Sequence, residues 1–390
     1  MVVNEQKFHK GRGAISNPAS RFDPTVSEPV DDGWNEAETA EIGSSSPKTK
    51  FFPDQTRQII ATNKSPDISF DRSINPYKGC EHGCVYCYAR PTHAFLGLSP
   101  GLDFETHIFY KTEPSVRLGE ALERRGYKVR PIAMGTNTDP YQPGERQLGV
   151  TREILKTLLE YRHPVTLVTK STLILRDLDL LTKLAKLGLV QVSVSVTTLS
   201  NGLKTALEPR TAGPQARLRV LDSLHQAGVP VGAMIAPVIP CINDHELEDI
   251  VVAVSETGVS RVGYILLRLP LEVEDLFVEW LQRHYPNRAE RVMSHIRAMR
   301  GGVAYRAEWG TRMRGQGTYA DLLAKRFELA TKKVGLETEK SSPLRTGLFR
   351  PPPRLLRGLQ PRHRARLRLR IGLADPEYAV GAGRRHAGYR

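Results

Sequence analysis

The spacing of hydrophobic and polar positions changes repeatedly along the middle of the chain. Short runs rich in β-branched residues predict strands at residues 129–135, 165–168, 189–196, 229–235 and 262–267, with another at 68–74. The intervening stretches carry apolar residues at helical spacing. Leu148, Ile154, Leu155, Leu158 and Leu159 predict a helix over 145–162. Similar patterns predict helices over 173–187, 214–227 and 244–256, stopped by Gly188, Gly228 and Gly258. Residues 275–285, 289–299 and 319–334 are also read as helical.

Strands alternating with helices at this spacing imply βαβ units and a parallel sheet. The fold class expected is α/β, a partial (β/α)6 TIM-type barrel of parallel strands with disordered N- and C-terminal tails. Chemistry in such folds gathers at the carboxyl ends of the strands. Asn137, Thr138 and Asp139 follow the second predicted strand, and Lys170 and Ser171 follow the third. Ser195, Thr197 and Thr198 end the fourth, Pro237 follows the fifth and Arg268 the sixth.

Residues 1–60 are rich in Ser, Pro and charged residues and lack a sustained apolar period, so they are expected to be disordered. The barrel domain is expected over 61–337, followed by a basic, disordered tail over 338–390. Of a net charge of +14, residues 350–390 supply +9, from 11 Arg against two acidic residues. Such a tail can bind nucleic acid electrostatically, although a solvated charge block is the more common reading. No run of apolar residues is long enough to span a membrane, and no secretory h-region is visible, so a cytoplasmic location is expected. The 40 % apolar and 25 % charged composition is that of a globular protein. Four cysteines in 390 residues do not make a disulfide scaffold, and clustered thiols in a reducing compartment point to metal or catalysis.

Three of those cysteines, Cys80, Cys84 and Cys87, lie within eight residues, just after the first predicted strand. Thiolates are soft ligands suited to iron–sulfur clusters, zinc or copper(I). Three local thiolates can hold three irons of a cubane and leave one iron open. The other readings are a zinc site completed by His82 or His93, and three unligated buried thiols. Zinc fingers tend to use two separated pairs, which this spacing does not provide.

Cys80-x3-Cys84-x-Tyr86-Cys87 on an alternating β/α chain resembles the signature of the radical S-adenosylmethionine superfamily. The resemblance extends to Asn75-Pro76-Tyr77-Lys78-Gly79, Tyr88-Ala89-Arg90, Thr138-Asp139-Pro140, Thr169-Lys170-Ser171, Ser193-Val194-Ser195, Leu207-Glu208-Pro209-Arg210-Thr211, Arg217 and Ala236-Pro237. Over residues 68–270 these look like the branch containing spore photoproduct lyase and DNA repair photolyase-like proteins. The resemblance implies a [4Fe–4S] cluster on the three cysteines and S-adenosyl-L-methionine chelating the open iron. It also implies reductive cleavage of that cosubstrate to a 5′-deoxyadenosyl radical, which abstracts hydrogen from a substrate. An electron donor such as flavodoxin or ferredoxin is expected with it.

Carried over by position, Tyr86 packs by the cluster and adenine, while Lys170 and Ser195 contact the methionine end of the cosubstrate. Asp139 stands among the expected cofactor-binding residues. Glu208 and Arg210 read either as a loop ion pair or as cosubstrate contacts. The resemblance breaks at Thr136, where spore photoproduct lyase has the cysteine that donates hydrogen to the product radical. A threonine O–H bond is too strong to replace a thiol. Tyr88 and Cys241 are the candidate catalytic residues that could relay hydrogen instead; otherwise Tyr88 is a packing residue and Cys241 a buried apolar cysteine. Nucleic acid is the leading candidate substrate. The alternatives are radical modification of a peptide or small molecule, and a zinc-bound nucleic-acid-binding module without catalysis.

Overall fold

A computed structural model describes residues 11–22, 47–338 and 343–351. Its strands in chain order are β1 (Lys50–Asp54), β2 (Ala61–Thr62), β3 (Arg72–Ile74), β4 (Tyr77–Lys78), β5 (His107–Lys111), β6 (Ile132–Met134), β7 (Val165–Thr169), β8 (Val190–Ser195), β9 (Val231–Val238) and β10 (Arg261–Leu266). The main sheet has the order β10-β9-β8-β7-β6-β3-β2. Its six strands from β10 to β3 pair in parallel, and β2 adds an antiparallel edge. This is the expected partial (β/α)6 barrel. The β-branched run of β8 explains its central place, because Val190, Val192 and Val194 are wholly buried, as strands covered by helices require.

The covering helices present the expected apolar stripes. Ile154, Leu155 and Leu158 come from one, Leu180, Leu181 and Leu184 from the next, and Val220, Leu221 and Leu224 from a third. The predicted helix over 145–162 is two helices, Glu145–Leu148 and Val150–Glu160, because Gly149 between them is left-handed with φ 65°. Patterning missed the helices Pro114–Leu122 and Asn201–Leu207 and the small sheet β1-β5-β4. The second of these helices starts at Ser200, whose hydroxyl caps the Leu203 amide. Ser200→Ala is expected to cost about 1 kcal/mol, read as a shift of the urea unfolding midpoint at unchanged slope.

Edge strands β10 and β2 do not pair with each other. The loop over 300–317 crosses between them. The Leu266 amide donates to the Met313 carbonyl at 3.0 Å, and Arg312 ion-pairs with Asp67, in the β2–β3 connection, at 2.5 Å. A second apolar core lies against the cysteine loop, where Val85, Tyr86, Leu207, Ile239 and Leu267 meet the wholly buried Phe277 and Trp280 of helix Val273–His284.

The described pieces of the two terminal segments pack on the barrel. Ala14, Ile15, Ile59 and Ile60 are buried, and β1 pairs with β5. Residues 343–351 also pack, with Phe349 against Tyr127, Tyr161 and His163. These pieces gain their partners from distant parts of the chain, so no local period announces them. The basic tail beyond residue 351 lies outside the described residues. Among the described residues no helix is long and apolar enough to cross a membrane.

Candidate active site

Cys80, Cys84 and Cys87 lie on the turn-rich segment between β4 and the 3-10 helix Arg90–Leu96. Gly79 and Gly83 take left-handed φ values of 80° and 67°, which lets the backbone curl between the thiols. The loop is pinned on several sides. The Cys80 amide donates to Phe104 O at 2.8 Å and the Val85 amide to Leu207 O at 3.1 Å. The wholly buried Gln142 carboxamide donates to Gly79 O at 3.2 Å and accepts from the Glu81 amide at 2.9 Å.

Burial raises the pKa of all three thiols, and each of the other two sulfurs adds to the rise at Cys80. Two backbone groups act the other way, the Asp139 amide on Cys80 and the Ala89 amide on Cys87. Three thiols held together on one loop, Cys80 buried and Cys84 and Cys87 half-buried, suit thiolates bound to a positively charged metal body. Among the described residues, no three His, Cys, Asp or Glu side chains converge on one metal ion. A cubane takes one thiolate per iron, so its cysteines surround a body and do not converge on a point. The histidines of the zinc reading have other partners: His82 Nδ1 lies 3.3 Å from Asp139 Oδ2, and His93 Nε2 lies 3.1 Å from His107 O. The residues present therefore fit a multinuclear cluster.

Beside the loop, Glu208 is wholly buried and gathers several groups, the Thr211 hydroxyl at 3.4 Å among them. The Tyr86 hydroxyl and an Arg217 guanidinium nitrogen donate to it, Thr197 Oγ1 donates at 2.7 Å, and Lys170 Nζ lies 3.9 Å away. Burial disfavours its charge, but Arg217, then Lys170 and the Tyr86 hydrogen bond, hold its pKa down at about 2. Arg217 also donates to Ser195 O at 3.0 Å, tying the end of β8 into this group.

The expected ion pair of Glu208 with Arg210 does not form. Arg210 turns away to Glu81 at 3.1 Å, and Arg217 takes its place on Glu208. Helix Pro214–Gln226 carries Arg217 back to Glu208. Asp139 is held by four protein groups: Thr169 Oγ1 at 2.7 Å, the Tyr141 and Lys170 amides at 2.8 Å each, and His82. Burial opposes its charge, but His82 and these hydrogen bonds keep its pKa below the ordinary carboxylate value. It joins the ends of β6 and β7 to the cysteine loop.

Tyr88 is 42 % exposed, donates to Thr136 O, and carries the Arg268 guanidinium 4.1 Å above its ring. Cys241 is half-buried with φ 60°. Glu105 and Arg90, both wholly buried, support the loop from outside, with Arg90 Nε donating to Cys84 O at 2.9 Å. Arg90 stands beside the cysteine signature in sequence, but nothing local singles out Glu105.

Comparison with known proteins gives the same outline. The family model described as the Radical SAM superfamily matches residues 74–254. An uncharacterized protein of Mycobacterium tuberculosis is 35 % identical over 236 residues, 59 % of this chain and 69 % of that protein. One from Methanocaldococcus jannaschii is 29 % identical over 243 residues, covering 62 % and 86 % of the two chains. Among solved structures, spore photoproduct lyase complexed with dinucleoside spore photoproduct matches with a TM-score of 0.53 at 14 % identity, over 73 % of this chain and 80 % of that one. That likeness is one of fold.

Proposed function

Because this chain belongs to the radical S-adenosylmethionine superfamily, and is an enzyme of that class, we propose that Cys80, Cys84 and Cys87 hold a [4Fe–4S] cluster and that the substrate is a nucleic acid. The observation that carries the cluster is the trio of thiols, Cys80 buried and Cys84 and Cys87 half-buried, on one loop at the carboxyl end of a parallel barrel. When bound, the cluster and S-adenosylmethionine supply one-electron cleavage of the sulfonium S–C5′ bond, and a reductant is needed. Flavodoxin or ferredoxin fits that role in a cytoplasmic setting.

The chain's own residues then have separable tasks within a catalytic domain spanning 61–337. Glu208 fixes the Tyr86 ring by its hydroxyl and pairs with Arg217, with Lys170 nearby. Lys170, half-buried on the open side of this group, offers an ammonium to the cosubstrate carboxylate. Ser195, at the carboxyl end of the neighbouring strand β8, offers a hydroxyl. Asp139 and Arg210 act through the loops they brace. Tyr88 lies on the exposed side of the loop and serves the substrate side, while Cys241 has no part in the reading.

The nucleic-acid assignment rests on the cations around Tyr88. Among the described residues Arg268 and Arg300 have no carboxylate partner, and Arg268 adds to the burial that depresses the Arg300 pKa. Arg300 is buried and donates only to the carbonyls of Leu267 and Arg312, at 2.7 and 3.0 Å. The adjoining loop exposes Trp309 among Arg306, Arg312 and Arg314. Guanidinium groups beside exposed aromatic rings suit phosphates beside stacked bases.

The test is anaerobic. The protein is reconstituted with iron and sulfide, then assayed for 5′-deoxyadenosine with dithionite, with and without single-stranded DNA or RNA. Cofactor cleavage with nucleic-acid stimulation supports the reading, and cleavage unaffected by either polymer favours a peptide or small molecule. A colourless protein that binds one zinc sinks it. Arg268→Ala is expected to weaken binding to an oligonucleotide and to lower the slope of log affinity against log salt by about 1. An unaltered slope would remove Arg268 from the interface.

A further inference from the structure

The N-terminal segment 11–22 lies across the outer face of the cysteine loop. A side-chain carbon placed on Gly13 would lie 1.7 Å from the Gly83 carbonyl oxygen and 3.3 Å from the Val85 amide nitrogen. Backbone therefore rests on backbone between the first and second cluster cysteines and just past the second. The contact repeats farther along, where a carbon on Gly101 would meet Ser16 O at 2.3 Å.

The wholly buried Glu105 locks this segment in place. The Gly13 and Ala14 amides donate to its two carboxylate oxygens at 3.0 and 2.8 Å. Arg90 donates to the same carboxylate at 2.5 Å and, through Nε, to Cys84 O. Arg12 donates to Glu105 O at 2.9 Å and to Thr49 Oγ1 at 3.1 Å, and Thr49 in turn donates to Glu81 of the cysteine loop at 2.8 Å. The far end is tied to helix Val273–His284 by Ser16 to Glu279 at 2.7 Å and Arg21 to Glu272 at 2.6 Å.

We propose that residues 12–17 form a strap that belongs to the cluster site, with Gly13 and Glu105 as positioning residues that hold the Gly83–Val85 backbone in the shape the cluster requires. The proposal takes its cluster from the reading above, but the strap's hold on the loop exists without one. Removing the strap strips two N–H donors from a buried carboxylate and opens the outer face of the loop. No other described segment supplies those donors.

The experiment uses full-length protein carrying Gly13→Val, with Gly13→Ala and Asn17→Ala as graded companions. In the metal-free state, mass spectrometry follows alkylation of Cys80 and Cys84 over time. After reconstitution, iron content and the EPR spectrum and midpoint potential of the reduced cluster are recorded. Gly13→Val is expected to speed alkylation of both thiols about tenfold, as local opening of the loop would. Iron content should fall at least twofold, and the potential of what remains should shift. Gly13→Ala should fall between wild type and valine. Asn17→Ala, which loses only its exchange with Asp103 on the exposed side, should alkylate faster than wild type but keep its iron.

If Gly13→Val is insoluble, the alanine and Asn17 variants carry the same comparison. Wild-type alkylation rates in Gly13→Ala and Asn17→Ala, with unaltered iron and potential, would overturn the strap. Faster alkylation in a protein that takes up no iron even as wild type would uphold the strap and overturn the cluster.

Discussion

Cys84→Ala is expected to abolish cluster assembly and to reduce 5′-deoxyadenosine formation at least about a hundredfold, the cost of losing one of three irons' anchors in a site with no spare thiolate. The fourth cysteine, Cys241, follows the fifth barrel strand and is not part of the cysteine loop. The wild type should carry about four irons per chain, and the variant little or none. Cys84 is half-buried, so alanine leaves no large cavity, and the metal-free variant should unfold within about 1 kcal/mol of the wild type. Unchanged stability with lost iron is the signature of a ligand. Full iron and full activity in the variant would refute the assignment. Cys241→Ala, run alongside, should retain its iron.

Glu208→Ala is expected to destabilise the protein by about 3–5 kcal/mol, because it leaves the buried Arg217 guanidinium without its carboxylate. Tyr86 and Thr197 lose an acceptor at the same time. Urea unfolding measures the loss. Glu208→Gln keeps the shape and an acceptor but not the charge, so it should lose less and still disturb Tyr86.

The same carboxylate predicts a pH dependence. Its pKa is near 4.5 in the unfolded chain and about 2 in the fold. The stability it contributes is thus fully present above about 4.5 and drains away as the pH falls toward about 2. Between pH 6 and pH 3 the wild type should lose more stability than Glu208→Gln does. Equal losses would show that Glu208 is not the ionised centre of this group.

Much of the barrel and the heart of the site were legible in advance because both are written locally. Apolar residues of β7, β8 and β9 are buried in the core, and apolar stripes on the intervening helices cover them, so period alone finds them. The three cysteines are close in sequence, and their placement after a strand puts them at the barrel's reactive end. Lys170 and Ser195 were reached by the same rule, each at the end of its strand.

What tertiary structure alone decided is who meets whom. Glu208 faces Arg217 instead of Arg210 because a helix folds back beneath the loop. Asp139 is consumed by His82, Thr169 and two backbone amides. Gly13, Glu105 and Gly83 converge from three separate stretches to brace the cysteine loop. Spacing along a chain determines which face of a helix or strand a residue occupies, because that depends only on local backbone geometry. Contacts between distant segments depend on how the elements pack, and no period in the sequence carries that information.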